Sequence, residues 1–97
     1  MDLTDKLNVI DVIAKSGRRG CTALALSQEV SLISSDIRSF LTNNPNFFCK
    51  IGDSNKFRLN PFGSLKGDAE KIKAELKQQQ QRLQEMSKFS VIGDLLL

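Results

Sequence analysis

The chain has 97 residues, 40% of them apolar, with a formal net charge of +3 and no histidine, tryptophan or tyrosine. That length holds one small domain and at most an appended helix, with a core that is only marginally stabilising. The missing histidine removes the commonest general base and the commonest metal ligand, and a charge this mild is far from the footprint of a histone or a basic arm.

Residues 3 to 16, LTDKLNVIDVIAKS, place Leu3, Leu7, Ile10 and Ile13 or Ala14 at helical spacing, with Val9 and Val12 widening the stripe. Asp2 or Thr4 is positioned to cap this first helix and Gly17 to end it. A short basic turn, Arg18-Arg19-Gly20, leads into TALALSQEV. This reads as a second helix with Thr22 as N-cap and Leu24 or Ala25, Leu26 and Val30 as its buried side. Leu32, in the next turn, plugs the core. Ser34 or Ser35 caps a third helix that points Ile37, Phe40 and Leu41 inward at i, i+3 and i+4. Asn43-Asn44-Pro45 stops it, because proline cannot continue the helical ladder and restricts the residue before it.

Beyond that stop the period drops to two. Phe47, Cys49 and Ile51 alternate with Phe48 and Lys50; after the polar turn Gly52-Asp53-Ser54-Asn55, Phe57 and Leu59 alternate with Lys56, Arg58 and Asn60. Two alternating runs around such a turn predict a β-hairpin. Three helices and then a hairpin is the order of a winged helix, so the predicted fold is α+β: three helices plus a two-stranded wing hairpin over residues 1–62, followed by a long C-terminal helix and apolar tail over 63–97.

From Ser64 onward, Leu65, Ala69, Ile72, Leu76, Gln79, Leu83 and Met86 step by four and three residues in turn, a heptad seam interrupted by one glutamine. Leu65, Ile72, Leu76, Leu83 and Met86 are therefore candidate partner-binding residues in a coiled-coil pairing. The same seam would serve equally to fold the tail back and enlarge a small core, and both readings stay open. FSVIGDLLL, at the end, is apolar enough to dock in a partner's groove. No apolar run approaches 18 residues and no basic-then-apolar leader is visible, so neither a membrane span nor secretion is expected.

Cys21 and Cys49 are far apart in sequence, without a CxxC pair or a histidine partner. They read as reduced structural thiols of a cytosolic or nuclear protein, with a disulfide between them left open. Catalysis has little to stand on: there is no histidine, no glycine-rich phosphate loop and no acid or cysteine pair at metal-like spacing. The chain is expected not to be an enzyme and to need no metal or cofactor.

For nucleic acid, the third helix offers Ser35, Arg38, Ser39, Thr42 and Asn43 on its outward side. Arg38 would reach a phosphate or a guanine edge, and the hydroxyls and amide would contact phosphates. Asp36 opposes this by repulsion unless it serves as a first-turn acid. On the hairpin, alternation puts Lys50, Lys56 and Arg58 on an outer face with Phe48 among them, a basic surface whose ring could cover a sugar or base. Lysines on an exposed strand also discourage edge-to-edge aggregation, the structural alternative. Arg18 and Arg19 would extend the patch. Three to five phosphate contacts would bind weakly, with a salt slope of about 0.9 for each.

The run LTNNPNFFCKIGDSNKFRLNPFGSLKGDAEKI, about a third of the chain, resembles the central winged-helix region of the beta subunit of the general transcription factor TFIIE. The resemblance is carried by Asn43-Asn44-Pro45 closing the third helix, the strands at 47–51 and 56–60, Lys56-Phe57 followed by Pro61, and Leu65-Lys66 opening the next helix. It implies a nuclear, transcription-linked module that contacts double-stranded DNA beside RNA polymerase II and an alpha-subunit partner. The alternative is a winged helix that only assembles a transcription or chromatin complex, without touching DNA. The first reading needs a continuous basic face from Arg18 and Arg19 through Lys50, Lys56 and Arg58. The second needs an apolar patch left exposed.

Overall fold

In a computed structural model, which describes residues 1–96 with side chains described through residue 83, the chain is α+β. Four helices accompany a small three-stranded antiparallel sheet: α1 (Leu3–Ser16), β1 (Cys21–Thr22), α2 (Ala23–Val30), α3 (Ser34–Thr42), β2 (Phe48–Lys50), β3 (Lys56–Leu59) and α4 (Ala69–Leu96), in sheet order β1-β3-β2. Asp2 caps α1 by accepting from the Asp5 amide at 2.8 Å, and Thr22 caps α2 by accepting from the Ala25 amide at 3.1 Å. Val9, Ile10 and Ile13 of α1, Leu26 of α2, and Ile37, Phe40 and Leu41 of α3 meet in one core with Phe47, Phe48 and Phe57 of the hairpin region. Phe48 lies edge-on to Phe40 with ring centroids 5.2 Å apart, a contact of about 0.5–1.5 kcal/mol beyond area burial.

Several local expectations are corrected. The hairpin gains a third strand, β1, too short to carry a period of its own. Gly20 makes this pairing possible: its φ is 71°, and a Cβ there would stand 2.5 Å from the Phe57 carbonyl oxygen. On α2 the buried side is Ala23 and Leu26, while Ala25 is exposed and Leu24 is 61% exposed. Ala23, Leu26 and the half-buried Val30 share a stripe, and Leu24 sits one residue, about 100°, off it. Neither serine caps α3; its N-cap is Ile33, with no side-chain bond, and Ser34 and Ser35 fall inside the helix.

The last helix begins at Ala69 and not at Ser64. Residues 63–68 instead form consecutive turns, with the Lys66 amide donating to Gly63 O and the Asp68 amide to Leu65 O, both at 3.0 Å. Lys66 and Gly67 have φ of 52° and 71°, which no right-handed helix accommodates. Asp68 then caps α4, accepting from the Glu70 and Lys71 amides. Two asparagines tie this loop to the stop after α3. The Asn46 side chain exchanges two 2.7 Å hydrogen bonds with Ser64, and Asn60 Nδ2 donates to Pro45 O at 2.8 Å. Gly63 passes so close that any Cβ would overlap the Asn46 carbonyl oxygen.

The first two turns of α4 pack against α1. Ile72 is fully buried and Leu76 is 5% exposed, each worth about 1.5–3 kcal/mol of burial. At the edge of this contact Lys73 bridges Asp11 at 2.8 Å and Glu70 at 3.0 Å. These two carboxylates, Asp11 first, raise the Lys73 pKa above the ordinary lysine value of 10.5.

Candidate nucleic-acid interface

The pairing of β1 with β3 brings the basic turn Gly17–Arg19, a single turn of 3-10 helix, alongside the hairpin. Residues opposite each other in an antiparallel pair point to the same side of the sheet. Cys49 is opposite Arg58, and Thr22 is opposite Lys56. These four occupy one side. Phe48 is opposite Leu59, Lys50 opposite Phe57, and Cys21 also opposite Phe57, so these occupy the other.

This register corrects the expected outer face. Lys50 does not share a side with Lys56 and Arg58; its Nζ lies over the Phe57 ring, 5.9 Å from the centroid. Phe48 does not lie among the cations at all. It is 2% exposed, in the core beside Phe47. The reason is geometric: each pair between β2 and β3 joins an even position to an odd one, so even-numbered residues of β2 and β3 face opposite ways. Phe47 precedes the strand proper, in a turn where its amide and that of Phe48 both donate to Asn44 O. Alternation has not begun there, and both rings go inward.

The structure does bring Arg18 and Arg58 together. They line one notch of about 210 Å³ with Lys66, between the C-terminal end of α1 and the loop after β3. Arg58 is half-buried, and its Nε is fully buried without an acceptor among the described residues, an unmet donor of the kind that costs about 1–3 kcal/mol. Arg18, Arg19 and Lys56 are exposed. Ser35, Arg38, Ser39 and Asn43 are exposed along α3 and at its C-cap, but no residue of α3 lines the notch. Thr42 is exposed too, with its hydroxyl committed to Arg38 O at 2.7 Å. Asp36 occupies the first turn of α3.

Charge is distributed unevenly. Segments 17–22 and 46–67 carry Arg18, Arg19, Lys50, Lys56, Arg58 and Lys66 against the single acid Asp53. Among the described residues none of these cations enters an ion pair; the three ion pairs all involve α1 or α4.

The expected partner seam divides. Ile72 and Leu76 are spent on the chain's own core, with Leu65 and Ala69 half-buried against it. From Lys77 to Leu83 every residue is exposed, Leu83 by 62%; the Met86 side chain lies outside the described residues. The cysteines are free and, two strands apart on opposite sides of the sheet, stand roughly 10 Å from each other, beyond disulfide reach. Among the described residues no cluster of cysteine and acid side chains could hold a metal ion, and no helix is long and apolar enough to cross a membrane.

Two residues outside the expected set stand out. Lys66 lines the notch, and Phe62, in the loop after β3, is 93% exposed where Phe48 is buried. In the sequence Lys66 stood out only within Leu65-Lys66, at the expected opening of the next helix, and Phe62 had no signal beyond its place in Pro61-Phe62-Gly63. Compared with known proteins, the chain matches no family model, no curated protein and no solved structure.

Proposed function

We propose that this chain is a transcription-linked winged-helix module, with β2, β3 and their turn as the wing, that makes weak, largely non-specific contacts to double-stranded DNA and docks to a protein partner. The observation that carries this reading is the set of five cations in the sheet and its flanking turns, Arg18, Arg19, Lys56, Arg58 and Lys66, all outside ion pairs among the described residues, with Lys50 set apart on the other side. Such a surface is held ready for an external anion, and a polyanion backbone binds through charge neutralisation with little regard to sequence. Arg18, Arg19, Lys56 and Arg58 form its centre, Arg38 with Ser35, Ser39 and Asn43 a second contact, and Phe62 the ring that covers a sugar or base. The likeness to TFIIE beta supports a nuclear setting, with an alpha-like subunit or RNA polymerase II as the partner.

The test is fluorescence anisotropy of a labelled duplex and a labelled single strand across salt concentrations. Duplex binding is expected to weaken with a log–log slope of about three to five. The triple variant Arg18→Ala, Arg19→Ala, Lys56→Ala, all exposed positions, should lower that slope by about 2.7 and affinity by roughly a hundredfold near 0.15 M salt. Unchanged binding by a folded triple variant would sink this surface as the DNA contact.

A second reading, a protein-docking module without DNA contact, is favoured by the exposure of Phe62 (93%), Ile33 (67%) and Leu83 (62%). No duplex binding even at low salt would select it.

A further inference from the structure

We propose that the notch between the C-terminal end of α1 and the loop after β3 is a discrete site for a single phosphate-class oxyanion. Three cationic side chains from three separate segments, Arg18, Arg58 and Lys66, line it, and no acidic residue does. Like charges gathered without a counter-ion repel, and a bound anion turns that repulsion into attraction. Arg58 supplies the sharper argument. A guanidinium is a planar fork of N–H donors matched to oxyanion geometry, and here Nε is buried with no acceptor among the described residues. Native structures seldom leave a buried donor in that state; Nε is closed to solvent as it stands, so a seated anion would complete it through a small turn of the guanidinium toward the notch that Arg58 lines.

The loop that brings Lys66 to the notch is held in an unusual backbone form. Lys66 has φ 52° and Gly67 φ 71°, a left-handed pair that a lysine rarely adopts and that the surrounding turns fix in place. The notch, about 210 Å³, is smaller than the roughly 300–1,000 Å³ of sites that enclose a whole drug-sized ligand. It suits one phosphate group and its first substituent, not a complete nucleotide. The site shares Arg18 and Arg58 with the proposed DNA surface but does not depend on it. A phosphate monoester, free or at a chain end, offers the same tetrahedral oxygens as a backbone phosphodiester.

The experiment titrates inorganic phosphate into the intact chain at constant ionic strength, following the arginine Nε–H signals and the backbone amides by NMR. The expected result is a saturable shift of the Arg58 Nε–H and the Gly67 amide, fitted by one dissociation constant. Arg58→Lys keeps the charge but loses the fork. It should weaken binding about tenfold or more, as for one lost charge-assisted hydrogen bond, and Lys66→Ala, at an exposed position, should weaken it similarly. A short duplex with and without 5′-phosphates then separates the sources: a preference for the phosphorylated ends assigns a terminal monoester, and equal affinity assigns the backbone. Saturable phosphate shifts without duplex binding would remove the DNA reading and keep the notch. Linear, non-saturating shifts, or shifts equally large at Arg38, would overturn the notch whatever the duplex does.

Discussion

The two sides of this small molecule use the same residue types for opposite ends. Along α4 charges are consumed internally: Lys73 joins Asp11 of α1 and Glu70 where the two helices meet, and Arg82 joins Glu75 farther along the helix. Where the basic turn meets β3, Arg18, Arg58 and Lys66 converge on a notch with no acid in its wall. The charge total is uninformative, since +3 describes neither side. Placement separates cations that hold the fold from cations that remain available.

The largest effect expected from breaking this contrast falls on the α4 side. Ile72→Ala should cost about 2–5 kcal/mol in urea unfolding, because it opens a cavity at a fully buried position. Leu83→Ala on the same seam, at 62% exposure, should stay within about 0.5 kcal/mol. Equal effects at the two positions would mean that the seam works as a unit and that its division between core and surface is wrong. Gly63→Ala comes next. The added methyl overlaps Asn46 O and should cost about 1–3 kcal/mol, the usual penalty for overpacking. It should also release the loop that carries Lys66, so thermal unfolding and the Lys66 amide shift would change together.

Much of the fold was legible in the sequence because its signals were periodic. The stripe of α1, the inward triad Ile37, Phe40 and Leu41, and the proline stop each follow from spacing or from one residue's chemistry. What escaped depended on register and closure. A two-residue strand has no period, so β1 became visible only through its pairing to β3. The hairpin's parity is set by how its turn closes, and it moved Lys50 and Phe48 to the side opposite Lys56 and Arg58. Sequence spacing likewise could not say whether Ile72 and Leu76 face a partner or their own α1, because both uses demand the same seam. The notch was least legible, since its cations come from positions 18, 58 and 66 and only the folded chain brings them together.

The hairpin parity yields the next prediction on this scale. Lys56→Ala should reduce duplex affinity about fivefold near 0.15 M salt, the share of one phosphate contact. Lys50→Ala, on the other side and over Phe57, should leave it nearly unchanged. If both lose equally in anisotropy titrations, DNA wraps the hairpin edge and the face assignment fails.

The smallest effect belongs to Lys73. Its pair with Asp11 is partly exposed, with the side chains 18% and 48% accessible, so solvent screens most of it. Lys73→Met, which keeps the aliphatic stem, should lower stability only slightly, and less still at high salt. The pH dependence gives the sharper sign. The two carboxylates raise the folded-state pKa of Lys73 above 10.5, so the folded chain holds this proton more tightly than the unfolded chain. The contribution is therefore fully present below the ordinary lysine value and fades as pH rises through the higher folded value. Denaturant unfolding of wild type and Lys73→Met should differ by a constant amount across neutral pH, and the two should converge in strong alkali. Convergence at neutral pH would mean that the pair contributes nothing and that α4 is held to α1 by Ile72 and Leu76 alone.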